Sequence, residues 1–263
     1  MSPRTSPVDG TWTEVADGVL ARRHTELDLT TGVVLGTERT LVIDTRGDAR
    51  QGAELAAAVR ALTPLPWTVV ITHAHFDHCF GTTAFLPAPV LATPGCRTAI
   101  VASAAAQRRD WVAHYRGTGD STTADALAAT EPVLPDPAPA TLDLGGRSVE
   151  LLHLGAGHTD HDLVVHVPDA GVVFAGDLVE QGAPPDLGDA DLAAWPHTLD
   201  ALLGLRPRTI VPGHGDPVDP AFVAEQRDQL ATVAALHAAV ARGELTAAAA
   251  AERSPYPGVR WPE

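Results

Sequence analysis

The run Thr72-His73-Ala74-His75-Phe76-Asp77-His78 gathers three imidazoles and a carboxylate into seven residues. Imidazole nitrogen and carboxylate oxygen are ligands that zinc takes in proteins, so the chemistry open to this run is to hold a metal ion. It follows the apolar stretch Trp67–Thr72 and precedes helix-like text to Phe85. Alternation along the chain puts His73, His75 and Asp77 on one side, and a turn brings His78 round to join them. With 12 His and 22 Asp in 263 residues, chance produces such a pattern in roughly two chains in a thousand.

Three further runs repeat the arrangement of an apolar stretch followed by a ligand-type residue. Gly155-Ala156-Gly157-His158-Thr159-Asp160-His161-Asp162 is the first, and Val172-Val173-Phe174-Ala175-Gly176-Asp177 is the second. The third is Ile210-Val211-Pro212-Gly213-His214-Gly215-Asp216. Each is weak alone. Together they describe four strand ends that meet at one sheet edge, which is how a site is assembled from distant sequence.

The elements needed to position these residues are legible as patterns. Strand text covers Val19–Arg22, Gly32–Gly36 and Thr40–Asp44, and helical spacing of Ala53, Leu55, Ala56, Val59 and Leu62 predicts a helix over Asp48–Leu62. Trp67–Thr72 reads as a strand buried on both faces. Pro89–Ala92 is a short strand, and Gly95–Trp111 and Thr122–Ala129 are Ala-rich helices. Pro132–Pro139 reads as a rigid connector. A second β run covers Thr141–Leu144, Ser148–Leu154, Leu163–Val167 and Val172–Ala175. Helices over Asp189–Leu203 and Pro220–Ala241 bracket a strand at Thr209–Val211. Two β-rich halves packed sheet on sheet, with helices outside, predict an α+β fold in four αββα layers. Residues 1–11 read as a flexible tail, 12–245 as one domain and 246–263 as a C-terminal extension.

This order of motifs resembles the metallo-β-lactamase superfamily, from about residue 12 to about residue 220. The resemblance implies that His73, His75 and His158 hold a first metal ion, that Asp77, His78 and His214 hold a second, and that Asp177 bridges them. It implies two Zn²⁺ ions, with iron or manganese as alternatives that the same ligands accept. Asp44 falls where the family carries a carboxylate that accepts an imidazole N–H and so fixes a ligand's tautomer. Asp at position 177, where β-lactamases of this fold usually have Cys or Ser, resembles the glyoxalase II and lactonase-like branch. The implied activity is a dinuclear zinc hydrolase, in which water activated by the metals attacks an ester, thioester or lactone carbonyl of a small molecule. Asp77 and Asp177 are the candidate catalytic proton acceptors. The alternative is an oxidoreductase like the persulfide dioxygenases, using one iron at His73, His158 and Asp177. β-Lactamase and nuclease activities stand behind both.

Composition narrows the classes. The formal charge is −15 and all the basic residues are Arg. A nucleic-acid binder usually carries a basic stripe, so the expected partner is a small molecule rather than nucleic acid. The glutathione contacts made by lysines in glyoxalase II cannot exist in a chain without Lys. No apolar run approaches the roughly 20 residues that span a bilayer, and Met1-Ser2-Pro3-Arg4 lacks a signal core. These features predict a soluble, cytoplasmic chain with no membrane partner, free to form a homo-oligomer. Cys79 and Cys96 read as two free thiols.

Specificity is expected from loops over the site. Glu180–Trp195 is one candidate wall, and His161 is a candidate for the pocket. Arg108–Arg116 is another wall, where Arg108, Arg109 and Arg116 offer a carboxylate site and Trp111 and Tyr115 offer stacking faces.

Overall fold

The computed structural model describes residues 10–262. Most of the expected tail, residues 1–9, lies outside the described residues.

Two sheets carry the fold. Strands β1 (Trp12–Ala16), β2 (Val19–Arg23), β3 (Thr30–Leu35), β4 (Thr40–Ile43), β5 (Trp67–Val70), β6 (Val90–Ala92) and β7 (Asp136–Pro137) form the first, in that order. Its first four strands pair antiparallel and the rest parallel. Strands β8 (Thr141–Asp143), β9 (Ser148–Leu152), β10 (Val164–Val167), β11 (Val172–Glu180) and β12 (Thr209–His214) form the second, in the spatial order β12-β11-β10-β9-β8. Only the β11–β12 pair is parallel.

The inner strands are buried on both faces because each face has its own core. Val34, Leu41, Ile43 and Val70 meet Val165, Val167, Val172 and Phe174 in the cluster between the sheets. Their neighbours Val33, Val42 and Val69 point the other way. They pack on helices α1 (Ala49–Leu62), α3 (Pro94–Thr118) and α4 (Ser121–Ala128) through Leu55, Val59, Ile100 and Leu127. On the far side, Val164, Val173 and Ile210 pack on α5 (Trp195–Gly204) and α6 (Pro220–Ala241) through Leu199, Leu202, Val223 and Leu230. Period-2 alternation with apolar residues at both phases thus gives the four αββα layers.

Helix boundaries follow local chemistry. Asp48, Thr93 and Asp219 each accept a backbone N–H at the start of α1, α3 and α6, and proline occupies the first turn of α3 and α6. No helix among the described residues is long and apolar enough to cross a membrane.

Three sequence expectations change. β11 continues to Glu180 instead of ending at Ala175, so Asp177 lies within the strand. Gly176, at φ 54°, breaks the register with β12 there and re-aims the next side chain. The expected helix over Asp189–Leu203 begins only at Trp195, because the Asp191 carboxylate takes the N–H groups of Ala193 and Ala194 in a preceding turn. The connector at 132–139 contributes β7, which pairs with β6. In the C-terminal stretch, Thr246 caps a short helix, α7 (Ala247–Arg253), and Tyr256 packs into the cluster of α5 and α6.

Candidate metal centre

The strand ends deliver their side chains to one point. His73 and His75 follow β5, and a single-turn helix, α2 (Phe76–Cys79), carries Asp77 and His78 round to face them. His158 arrives from the loop after β9, Asp177 from β11 and His214 from the last residue of β12. Two sets result. His73, His75, His158 and Asp177 offer ligand atoms within 4.8 Å of one another, and so do Asp77, His78 and His214.

Asp177 faces both sets. Its Oδ2 lies 3.6 Å from His73 Nε2, 3.5 Å from His158 Nε2 and 3.2 Å from His214 Nε2. Its Oδ1 lies 3.2 Å from His78 Nε2. Within the first set, His75 Nδ1 lies 2.9 Å from His158 Nε2. Asp77 Oδ2 lies 3.5 Å from His214 Nε2 and 3.7 Å from His78 Nε2.

The nitrogen of each imidazole that points away from the centre has its own partner. His78 Nδ1 lies 2.8 Å from Asp44 Oδ2. The same carboxylate accepts the Thr72 N–H and Oγ1–H, each at 2.8 Å, and Thr72 Oγ1 lies 3.1 Å from His73 Nδ1. Asp44 therefore orients one imidazole of each set, the first through Thr72. His75 Nε2 meets Asp189 Oδ2 at 3.0 Å, His158 Nδ1 meets the Asp186 carbonyl at 3.2 Å, and His214 Nδ1 meets the Leu27 carbonyl at 2.7 Å. Such partners fix tautomer and ring orientation.

Two atoms at the centre, His73 Nε2 and Asp177 Oδ1, are buried without a hydrogen-bond partner. Buried polar atoms are paired almost everywhere else in proteins, so an orphaned imidazole nitrogen beside an orphaned carboxylate oxygen fits a cation. The electrostatics point the same way. Burial drives His73 well below the usual imidazole range, and His158 down to about 4. Burial also opposes charge on His78 and His214, but Asp177 outweighs it, raising His78 well above its usual value and His214 to about 10. The same pairing outweighs burial at Asp177 and holds its carboxyl well below the usual range.

A cavity of about 410 Å³ opens over the centre. Its lining includes Asp77, Asp177 and His214 from the centre, and Glu180, Gln181, Ala183, Asp186 and Asp189 from the expected Glu180–Trp195 wall. His161 lines it too, accepting the Ala74 N–H at Nε2. Trp111 is part of the wall, but the other α3 residues differ from expectation. Arg108 is held by the Thr130 carbonyl and Glu131, Arg109 by Asp110, and Arg116 by Asp125, and none of them lines the cavity. Tyr115 is turned inward and donates its hydroxyl to Glu26. The helix period sets Arg109 and Arg116 away from the Trp111 face of α3, whereas Arg108, three residues before Trp111, is drawn off by the Thr130 carbonyl and Glu131.

Sequence reasoning missed Asp189 as a partner of His75, and Glu180 as a buried carboxyl beside Asp177 that burial pushes up to about 8. The acidic character of the Glu180–Trp195 loop was the available signal. The Leu27 and Asp186 carbonyls carry no sequence signal. Cys79 and Cys96 are buried free thiols, and burial pushes Cys96 up to about 12.

Comparison with known proteins agrees with the geometry. The family model described as the Metallo-beta-lactamase superfamily matches residues 25–214. A metallo-beta-lactamase type 2 from Bacillus sp. (strain 170) is 29% identical over 222 residues, covering 79% of this chain and 77% of that protein. One from Bacteroides fragilis is 37% identical over 81 residues, but the match spans only 29% of this chain and 32% of the relative. The solved metallo-beta-lactamase from Pontibacter korlensis superposes with TM-score 0.67 at 21% identity, over 84% of this chain and 98% of that one, which shows a shared fold. The chain belongs to the metallo-beta-lactamase superfamily, and by that membership is a metal-dependent hydrolase.

Proposed function

We propose that the chain is a dinuclear zinc hydrolase acting on an ester, thioester or lactone of a small molecule. The observation that carries this reading is the Asp177 carboxylate, which stands within 3.2–3.6 Å of imidazole nitrogens from both ligand sets. A carboxylate in that position would serve two cations at once. His73, His75 and His158 would hold one zinc, and Asp77, His78 and His214 the other. Zinc bound there supplies Lewis acidity toward a carbonyl oxygen and brings the pKa of water to about 7.

The chain's own residues do the rest. Asp44, Asp189 and the carbonyls of Leu27 and Asp186 hold the imidazoles in register. Asp77 and Asp177 line the cavity, so either can take the proton that the attacking water gives up. The Asp at 177 supports the glyoxalase II and lactonase-like branch. The relatives named as metallo-beta-lactamases favour a second reading, cleavage of a β-lactam amide.

A panel of aryl esters, lactones, thioesters and β-lactams, offered to zinc-loaded and chelated protein, tests the proposal. We expect turnover of esters or lactones that disappears with chelator and returns with zinc. Turnover of β-lactams alone replaces the first reading with the second.

A further inference from the structure

The cavity has a charge pattern that hydrolysis by itself does not require. One wall is apolar, with Leu27, Ala74, Phe76, Ala99 and Trp111. The Phe76 and Trp111 rings sit 4.5 Å apart at 33°, and together they form an aromatic shelf beside the metal ligands. The other wall is acidic. Beyond the candidate ligands Asp77 and Asp177, it presents Asp186 and Asp189, together with the buried Glu180 and with Asp28, which Arg23 pairs.

Among the lining residues only the imidazoles of His75, His161 and His214 can carry positive charge, and His75 and His214 are candidate metal ligands. The chain has no Lys, and no Arg lines the cavity among the described residues. The nearby guanidinium groups are committed elsewhere. Arg23 pairs with Asp28 and Asp216, and Arg46 with Glu26 and Glu54. Arg260 lines a neighbouring cavity that shares only Asp186 and Asp189 with this one.

We propose that the substrate carries no negative charge and seats an apolar or aromatic portion on the Phe76–Trp111 shelf. This rests on the hydrolase reading above. Away from the metals, a carboxylate or phosphate on the substrate would face Asp186 and Asp189 with no lysine or arginine to receive it, and like charges brought together oppose binding. Hydrolysis turns a neutral ester and water into a carboxylate, an alcohol and a proton. The acidic wall therefore admits the reactant and favours departure of the product acid.

The test compares two aryl esters with the same leaving group on the zinc-loaded chain, one phenylacetyl and one 4-carboxyphenylacetyl. We expect kcat/KM for the anionic ester to be lower by about a hundredfold. Ser103→Arg, which adds a cation to the lining, should recover about tenfold of that loss through KM. Trp111→Ala should shrink the preference for phenylacetyl over acetyl esters by about tenfold. Binding is read independently by quenching of Trp111 fluorescence with two unreactive amides, one neutral and one bearing a carboxylate, with Trp111→Phe as the blank. Kinetic parity of the two esters within about threefold, or equal quenching by the two amides, overturns the proposal and leaves the hydrolase reading standing. Turnover of neither ester or any other carbonyl substrate overturns both.

Discussion

Oδ2 of Asp189 lies 3.0 Å from Nε2 of His75, a partner 114 residues away in the chain. The contact turns the other nitrogen of His75 toward His158 and Asp177. Asp189 comes from the acidic loop that walls the cavity, so the loop that shapes the pocket also aims a candidate ligand. Asp189→Asn should weaken metal binding by about tenfold, the low end for such a partner because the Asp189 side chain is 71% exposed. Competition with a chromophoric chelator measures it. Unchanged affinity would assign Asp189 to the pocket wall alone.

Asp44 is the buried counterpart. Its carboxylate takes three hydrogen bonds, from Thr72 N, Thr72 Oγ1 and His78 Nδ1. Asp44→Ala leaves all three donors unpaired in the interior and should destabilise the fold by about 3 kcal/mol. Because Thr72 passes the effect to His73, affinity should fall for both metal ions, whereas Asp189→Asn should affect one. Chemical denaturation and a two-site titration check the two halves of this prediction.

Gly213 tests how tightly Asp177 is seated. A Cβ at Gly213 would stand 1.8 Å from Asp177 Oδ1 and 2.9 Å from its backbone nitrogen. Gly213→Ala should displace the shared carboxylate and lower metal content and turnover together. Far-ultraviolet circular dichroism should stay close to that of the parent, since the clash is local to the β11–β12 edge.

A pH prediction follows from Asp162, which lies outside both ligand sets. Burial pushes its carboxyl up to about 7, against hydrogen bonds from Thr159 N at 2.9 Å and Thr159 Oγ1 at 2.6 Å. The ordinary value is about 3.9, so the folded state binds the proton more tightly than the unfolded state. The stabilisation from that proton is full below about pH 4 and is lost as pH rises through about 7. The stability of the parent minus that of Asp162→Asn should therefore fall between about pH 4 and 7. Urea titrations of the two proteins across that range measure the difference, and a constant or rising difference contradicts the prediction.

How much of this was legible in sequence depended on how local the signal was. The run His73–His78 is contiguous and follows a strand buried on both faces, so residue type and period were enough to single it out. His158, Asp177 and His214 were legible only as ligand types after apolar runs. Their convergence required the sheet order, which places β11 between β10 and β12. Period-2 alternation could not reveal that β11 runs past Gly176, because the positive φ that redirects Asp177 is a backbone property. The partners of the imidazoles divide in the same way. Asp44 sits at a strand end and resembles a family position, whereas the Leu27 carbonyl reaches His214 across 187 residues and leaves no mark in residue type. The short helix α7 escaped because Ala247–Ala251 has no polar face to set a period.

The central claim is that two sets of ligands, joined by Asp177, hold two metal ions. Elemental analysis of protein equilibrated with excess zinc and then desalted tests it most directly, with His73→Ala and His214→Ala measured alongside. The account predicts two zinc ions per chain in the parent and one in each variant. A parent chain that retains no metal, or variants that retain as much as the parent, would contradict it.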